Sequence, residues 1–302
     1  MTNQLFSILI TTKNRITDLA LTLEKIKHLI DREDVVCVIC DDGSTDGTAS
    51  FLQINYPEIQ LIQNHKSKGL IFSRNRLLNL VKTEFAISID DDAHFVNDNP
   101  LESIKKYFDE NLNCGLLAFR IFWSLEEPIS NTSKVLPYRV KGFVGCGHVW
   151  RIKAWHAIPN YPAWFFFYGE EDFASYQLFQ KNWQIHYLPQ VLVNHRVDLK
   201  SRRNNADYTI RLRRSLRSDW YLFFLFYPIS TIPRKMAYSF WIQFKTKVLQ
   251  GDFKALKAVV LALFDLIWNS PRIIKNSNRL TQQEYDDYNQ LPETKIYWES
   301  EE

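Results

Sequence analysis

The 302-residue chain predicts an α/β fold: a mostly parallel central sheet flanked by helices, followed by a C-terminal helical region. Three observations predict it. Short apolar runs such as Phe6-Ser7-Ile8-Leu9-Ile10 are nearly continuous, as in parallel strands buried on both faces. Segments with apolar residues three and four apart separate these runs, and strands alternating with helices wind into a parallel sheet with right-handed crossovers. Past about residue 206 the strand pattern stops and helical spacing takes over.

The elements follow in order. A strand is expected over 6–10, then a helix over 18–30 carried by Leu19, Leu23, Ile26 and Ile30. A strand over 35–40, a polar loop over 41–47 and a short helix over 48–54 come next. Asp46 in that loop, or Thr48 at the start of that helix, is a candidate helix cap. A strand over 60–62, a helix over 70–81 and a strand over 85–89 complete the first half. The middle reads as a strand over 115–123, a loop over 125–140 and a Gly-punctuated strand over 142–151. A helix over 170–180 and two strands, 183–188 and 191–194, follow. The helical tail is expected to break at Pro228, Pro233 and Pro271.

Composition narrows the function classes. Hydrophobic residues at 46% and charged residues at 24% exclude wholesale disorder, and aromatics at 15% ask for an aromatic core or an aromatic binding surface. Up to His195 there are 19 basic and 22 acidic residues; from Arg196 to Arg279 there are 17 and 5; beyond that, 1 and 7. A near-neutral front and a basic, aromatic back suggest two functional units. Four cysteines are too few for a disulfide scaffold, and Cys37 and Cys40 in one strand face opposite sides, so free thiols in a reducing compartment are expected. Met1–Gln4 lacks the basic start of a signal peptide, and no apolar run approaches the ~20 residues of a membrane span. The expected location is cytoplasmic, with attachment to the inner face of the membrane as an option.

The polar clusters fall where a parallel sheet binds ligands, at the carboxyl ends of its strands. Thr11-Thr12-Lys13-Asn14-Arg15 follows the first strand, Asp41-Asp42-Gly43-Ser44 the second, and Asp90-Asp91-Asp92 the fourth. Three adjacent carboxylates need a cation or basic groups to stay ionised when buried. Asp90 and Asp92 lie on one side of an extended chain, which suits a hard divalent ion, though a solvated turn would also use Asp. Gly169-Glu170-Glu171-Asp172 follows the aromatic run Trp164-Phe165-Phe166-Phe167-Tyr168; a carboxylate there could stabilise a helix start or act as a general base beside an aromatic floor. His195 ends a strand and is either structural or a neutral metal ligand.

Taken in order, these segments resemble family 2 glycosyltransferases of the GT-A, Rossmann-like fold. The resemblance is carried by residues 7–15 and 38–48, by Asn64, Gly69, Arg74 and Asn75, and by Asp90-Asp91-Asp92 as a D-x-D motif. Gly145-Cys146-Gly147 with Arg151, Glu171-Asp172 and His195 complete the set, and Arg211–Arg217 with the helical tail resembles a bacterial rhamnosyltransferase-like branch. A catalytic domain is expected over 1–200 and a helical region over 201–302, whose basic and aromatic composition suits association with a membrane surface. The resemblance implies an inverting transfer of a hexosyl or deoxyhexosyl group from a UDP- or dTDP-sugar to a glycan or lipid-linked hydroxyl, in cell-surface polysaccharide assembly, with Mn²⁺ or Mg²⁺. Thr11, Thr12, Asn14, Arg15, Asp42, Gly69, Arg74, Asp90 and Asp91 would bind the nucleotide sugar, Asp42 by accepting from the base or ribose. Asp92, Asp90 and His195 would hold the metal, Asp172 would be the base, and Gly145, Trp164 and Glu171 would line the acceptor side.

The competing readings are a catalytically weak sugar- or nucleotide-binding relative and a nucleic-acid binder using the basic stretch Arg196–Arg217. Aromatic Trp220–Tyr227 beside that stretch favours an anionic membrane surface over nucleic acid, and Trp220–Tyr227 and Tyr238–Phe244 are the segments expected at headgroup depth.

Overall fold

A computed structural model describes residues 4–197 and 207–297. Among these the strands form one ten-stranded sheet. At its parallel side lie β1 (Phe6–Thr12), β2 (Val35–Asp41), β3 (Gln60–Gln63) and β4 (Phe85–Asp90), in the order β3-β2-β1-β4. The strands are apolar on both faces because both faces are covered. Phe6, Ile8, Ile10 and Cys37 pack into one core; Leu9, Val38 and Cys40 pack into another across the sheet. Cys37 and Cys40 are therefore separated by the sheet, free and buried, as the strand reading requires.

Beyond β4 the sheet turns antiparallel. β8 (Gly147–Arg151) pairs antiparallel with β4 and with β6 (Cys114–Trp123); β6 runs parallel to β9 (Gln184–His195); β9 runs antiparallel to β5 (Ala93–Phe95) and to β7 (Tyr138–Val140). One core packs α1 (Ile16–Lys25), α2 (Lys27–Ile30) and α5 (Pro100–Glu110) on the sheet; the other packs α4 (Leu70–Leu78) and α7 (Glu170–Gln180). A short helix α3 (Thr48–Asn55) and a single turn α6 (Ile152–Trp155) fill the connections.

Several expectations are corrected. The helix expected over 18–30 is two, broken at Ile26, whose φ of −100° and ψ of 10° leave the helical region. The loop expected over 125–140 ends in β7, and only the last part of the segment 142–151 is strand. The two strands expected over 183–194 are one, with a register irregularity opposite Phe119 and Arg120 where Pro189 interrupts the ladder. Asp46 accepts from the backbone N–H of both Ile16 and Thr48, at 3.1 Å each, so one carboxylate serves two helix starts.

The C-terminal helices are α8 (Tyr208–Phe226), α9 (Ile232–Thr246), α10 (Phe253–Lys275) and α11 (Gln282–Gln290). Pro228 follows the end of α8 and Pro233 sits in the first turn of α9, where no donor is lost. Pro271, however, lies inside α10, which continues to Lys275. Trp220, Tyr221, Leu222, Leu225 and Phe226 are buried within the protein, so Trp220–Tyr227 is not a membrane-facing segment. Tyr221, Leu222, Leu225 and Phe226 share their core with Trp150, Phe173 and the α11 residues Tyr285 and Tyr288. The chain then returns to the sheet as β10 (Ile296–Tyr297), parallel to β6. The expected division at residue 200 falls outside the described residues, as do Lys200, Arg202 and Arg203 of the basic stretch.

Candidate active site

The register of the parallel strands sets the site. Thr12 is opposite Asp41, and Thr11 is opposite Asp90, so three strand ends finish at one level. The chain then reverses after Asp92, and β5 pairs Ala93 with His195. That pairing brings His195 Nε2 to 3.0 Å from Asp92 Oδ1. On the other side of β4, Asp90 N–H donates to Cys146 C=O at 3.2 Å, which places Gly145 and Cys146 beside the carboxylates. The result is a cavity of about 720 Å³ at the strand ends.

One wall is the acidic triplet. Arg15 reaches Asp92 at 2.7 Å and Asp91 at 3.1 Å, and Thr12 Oγ1 donates to Asp91 at 2.8 Å. Burial raises the pKa of Asp91 to about 7, with Arg15 opposing it. Asp92 is buried too, but His195 and Arg15 overcome that burial and hold it far below the ordinary carboxylate range. Asp90, Asp92 and His195 offer ligand atoms within 4.8 Å of one another. Asp92 Oδ1 meets no hydrogen-bond donor beyond that 3.0 Å ion-pair contact with His195 Nε2, and His195 Nδ1, also buried, meets no partner among the described residues. A buried carboxylate oxygen with so few donors, beside a second carboxylate and an imidazole within 4.8 Å, fits a divalent cation.

The opposite wall is the start of α7. Gly169, at φ 84°, makes the turn into the helix, whose first turn carries Glu170, Glu171 and Asp172. Glu170 is 2% exposed, and Arg74 bonds its Oε1 at 3.0 Å. Arg74 also bonds Asp90 at 2.7 Å and Gly145 C=O at 3.0 Å, and lies 3.7 Å from Glu171. One buried guanidinium thus joins both walls. Desolvation raises the pKa of Glu170, helped by the Glu171 charge, and raises that of Glu171 against the pull of Arg74. A Cβ on Gly145 would stand 2.1 Å from Glu171 Oε1, so this glycine makes room for that carboxylate.

The structure brings Thr11, Thr12, Arg15, Asp42, Gly69, Arg74, Asp90, Asp91, Asp92, Gly145, Glu171 and His195 to the cavity. It does not bring Asp172, Trp164 or Asn14 there. Asp172 is exposed on another side of α7, with Asp219, Glu293 and Lys141 as charged neighbours. Glu171 is the carboxylate of that pair which faces the cavity. Trp164 packs on Tyr221, ring centroids 5.1 Å apart. Asn14 ties two loops together, accepting from Thr45 N–H at 2.7 Å and donating from its own N–H to Ser44 at 2.9 Å. Arg151 points the other way, to the carbonyls of Cys114 and Phe108. Asp42 is in place, but its oxygens already accept from Asn64, Ser67, Lys68 N–H and Gly69 N–H at 2.6–2.9 Å. Those bonds hold its pKa down despite burial. Its geometry is that of a clasp on the 64–69 loop rather than of a free acceptor for a base.

The sequence reading missed several lining residues. Arg211 and Arg214 of α8 face the cavity, and the Arg214 guanidinium lies 4.8 Å from the Phe166 ring. The Arg-rich run was the visible signal for both. Phe166 and Tyr168 hold φ values of 70° and 71°, unusual for aromatic residues, and line the cavity with Phe167. Lys13, Ser67, Leu70, Ser73, Trp123, Val144 and Cys146 also line it.

Comparison with known proteins gives the family. No curated protein matches the chain by sequence. Solved structures do match by fold. GalNAc-T7, crystallised with UDP, GalNAc and Mn²⁺, aligns at TM-score 0.57 and 14% identity, over 74% of this chain and 48% of that one. S. aureus TarS aligns at 0.54 and 16%, over 69% and 38%. The mannosyltransferase PcManGT from Pyrobaculum calidifontis, in complex with GDP-Man and Mn²⁺, aligns at 0.54 and 13%, over 94% and 83%. The chain therefore spans about half the length of GalNAc-T7 and less of TarS, and the shared architecture is the GT-A fold. Residues 7–162, from β1 to just before the aromatic run, match the profile of glycosyl transferase family 2. With that match over half of its length, on a GT-A sheet whose strand ends carry the D-x-D carboxylates, this chain belongs to glycosyl transferase family 2.

Proposed function

We propose that this protein transfers a hexosyl or deoxyhexosyl group from a UDP- or dTDP-linked donor to a hydroxyl of a glycan or lipid-linked acceptor, with inversion. The observation that carries the reading is the placement of Asp90, Asp92 and His195 in one cavity with Glu171, joined through Arg74. The donor diphosphate belongs at the triplet, where Lys13, Arg15, Arg211 and Arg214 supply positive charge. Asp92, with Asp90 and His195, would hold a divalent Mn²⁺ or Mg²⁺, and such an ion, when bound, neutralises charge on a departing diphosphate. The sugar lies between the walls, against Phe166, Phe167 and Tyr168.

Glu171, rather than Asp172, is the base in this reading. It lines the cavity, which Asp172 does not, and a pKa raised by burial suits it to accept a proton there. The acceptor O–H gives its proton to the Glu171 carboxylate while the oxygen bonds to the anomeric carbon. The bond from that carbon to the β-phosphate oxygen breaks on the opposite face, and the nucleoside diphosphate leaves with the electron pair. Gly145 keeps the space that Glu171 occupies, and Arg74 fixes the distance between base and leaving-group walls. Assembly of cell-surface polysaccharide is the role that suits a lipid-linked acceptor.

A panel of UDP-, dTDP- and GDP-sugars, assayed for hydrolysis with and without Mn²⁺ or Mg²⁺, tests the donor class. The expected result is metal-dependent release of UDP or dTDP from one donor. Release from none of them, by folded protein, would overturn the reading.

A further inference from the structure

The helix α10 is built inside out. Its buried face is made largely of small residues, Ala255, Ala258, Val259 and Ala262, and packs on α8. Its large apolar residues point outward: Phe253 is 77% exposed, Phe264 64%, Ile267 68%, Trp268 84% and Ile274 70%. Their spacings of three, four, seven and eleven keep them on one side of a helix 23 residues long, a stripe of about 35 Å. Along one border lies α9, which adds exposed Tyr238, Trp241 and Phe244. Between the two helices runs an apolar groove of about 460 Å³. Along the other border lie Lys254 and Arg272, with Lys257 and Lys275 just inside that edge between Phe264 and Trp268, all exposed.

The two acidic residues of α10 and its cap are both engaged by side chains of α8. Asp252 caps α10 through Ala255 N–H at 2.8 Å and accepts from the Tyr208 hydroxyl at 2.7 Å. Asp265 is held by Arg213 at 2.6 Å, with Arg217 at 3.6 Å. The outer surface of α9 and α10 is thus apolar with a purely cationic fringe. Among the described residues no helix is long and apolar enough to cross a membrane.

We propose that the α9–α10 face docks on the surface of an anionic lipid bilayer, the aromatic and aliphatic stripe entering the headgroup boundary and the Lys/Arg border pairing with acidic headgroups. A helix with aromatic and aliphatic residues on one face and Lys and Arg beside them is suited to lie in that plane. A soluble protein partner would need acidic groups to match the fringe; an anionic bilayer supplies both the negative charge and the apolar depth. α8 connects this face to the cavity, since Arg211 and Arg214 line the cavity while Arg213 and Arg217 hold Asp265. The docking claim does not depend on the transfer chemistry.

Flotation of the full chain decides it. Vesicles of phosphatidylcholine with phosphatidylglycerol should carry the protein at low salt, release it at high salt, and outcompete vesicles of phosphatidylcholine alone. Lys257→Gln, Arg272→Gln and Lys275→Gln together should lower partitioning by roughly 100-fold. Phe264→Ser with Trp268→Ser, at exposed positions that leave the core intact, should lower it by roughly tenfold or more. Absence of flotation at low salt, or equal flotation of both variants and wild type, would overturn the proposal. So would a concentration-dependent dimer that these variants dissociate and that does not float, because a second copy would then occupy the face. Donor turnover measured in the same preparations separates failure of docking from failure of the transfer reading.

Discussion

Two regions of this molecule reverse the usual placement of residues, in opposite directions. Around Arg74, charges are inside: Glu170 is 2% exposed and Arg74 5%. Along α10, the large apolar side chains are outside, with Trp268 at 84%. The first reversal is compensated within the chain, because one guanidinium meets Asp90, Glu170 and the Gly145 carbonyl at 2.7–3.0 Å. The second is compensated by nothing among the described residues, and its acidic neighbours Asp252 and Asp265 are used elsewhere. A buried network that closes on itself marks a site whose geometry must be held. An apolar face that closes on nothing marks a surface made for something outside the chain.

The largest effect tests the inner region. Glu171→Gln should lower turnover by about 10²–10⁴-fold while donor binding stays, because an amide cannot take the acceptor proton. Asp172→Asn should stay within a few-fold of wild type. Steady-state kinetics on both variants checks the choice, and the reverse pattern would return the base to Asp172. Next is Arg74→Met, which leaves buried carboxylates without their cation and should cost about 3–5 kcal/mol of stability in denaturant unfolding. Adding Glu170→Gln should recover part of that loss. An Arg74→Met protein as stable as wild type would show that the network is not held by the guanidinium.

The pH profile gives a smaller, directional effect. A base whose pKa is raised loses its proton-accepting form at higher pH than an ordinary glutamate does. The acid limb of kcat/KM should therefore lie above the ordinary glutamate value of about 4.3, with activity falling as pH drops through that raised pKa. A limb at or below the ordinary value would contradict the environment described for Glu171. Smallest is the outer region: Trp268→Ser should change stability by less than about 0.5 kcal/mol, because the indole packs on little within the chain. A loss as large as that of Arg74→Met would make the α10 stripe part of the fold rather than a surface.

The same contrast explains what the sequence makes legible. Strand periodicity and motif order place β1, β2, β4 and the acidic triplet, since a continuous apolar run followed by Asp90-Asp91-Asp92 is a local pattern. Asp92 with His195, or Arg74 with Glu170, are pairs 103 and 96 positions apart that only β5–β9 pairing and the seating of α4 against α7 bring together. Which carboxylate of Glu170-Glu171-Asp172 enters the cavity depends on the phase of α7 after Gly169, and the motif alone cannot give it. The aromatic run misleads for a related reason: positive φ at Phe166 and Tyr168 turns those rings toward the cavity and leaves Trp164 to pack against Tyr221. In the tail, aromatic content suggests a surface for Trp220–Tyr227, yet α8 buries it; the small-residue face of α10 is what sends the other aromatics outward.

As proposed above, the strand-end carboxylates would form a cation-assisted site for a nucleoside diphosphate. Calorimetric titration of UDP into wild type and Asp92→Ala, each with and without Mn²⁺, tests it most directly. Asp92 lies at the centre of the group, within reach of Arg15 and His195, with few donors at its own Oδ1. Wild-type binding should strengthen markedly with Mn²⁺, and a folded Asp92→Ala protein should lose that gain. Binding that is independent of Mn²⁺ in wild type, or unchanged in the variant, would contradict it.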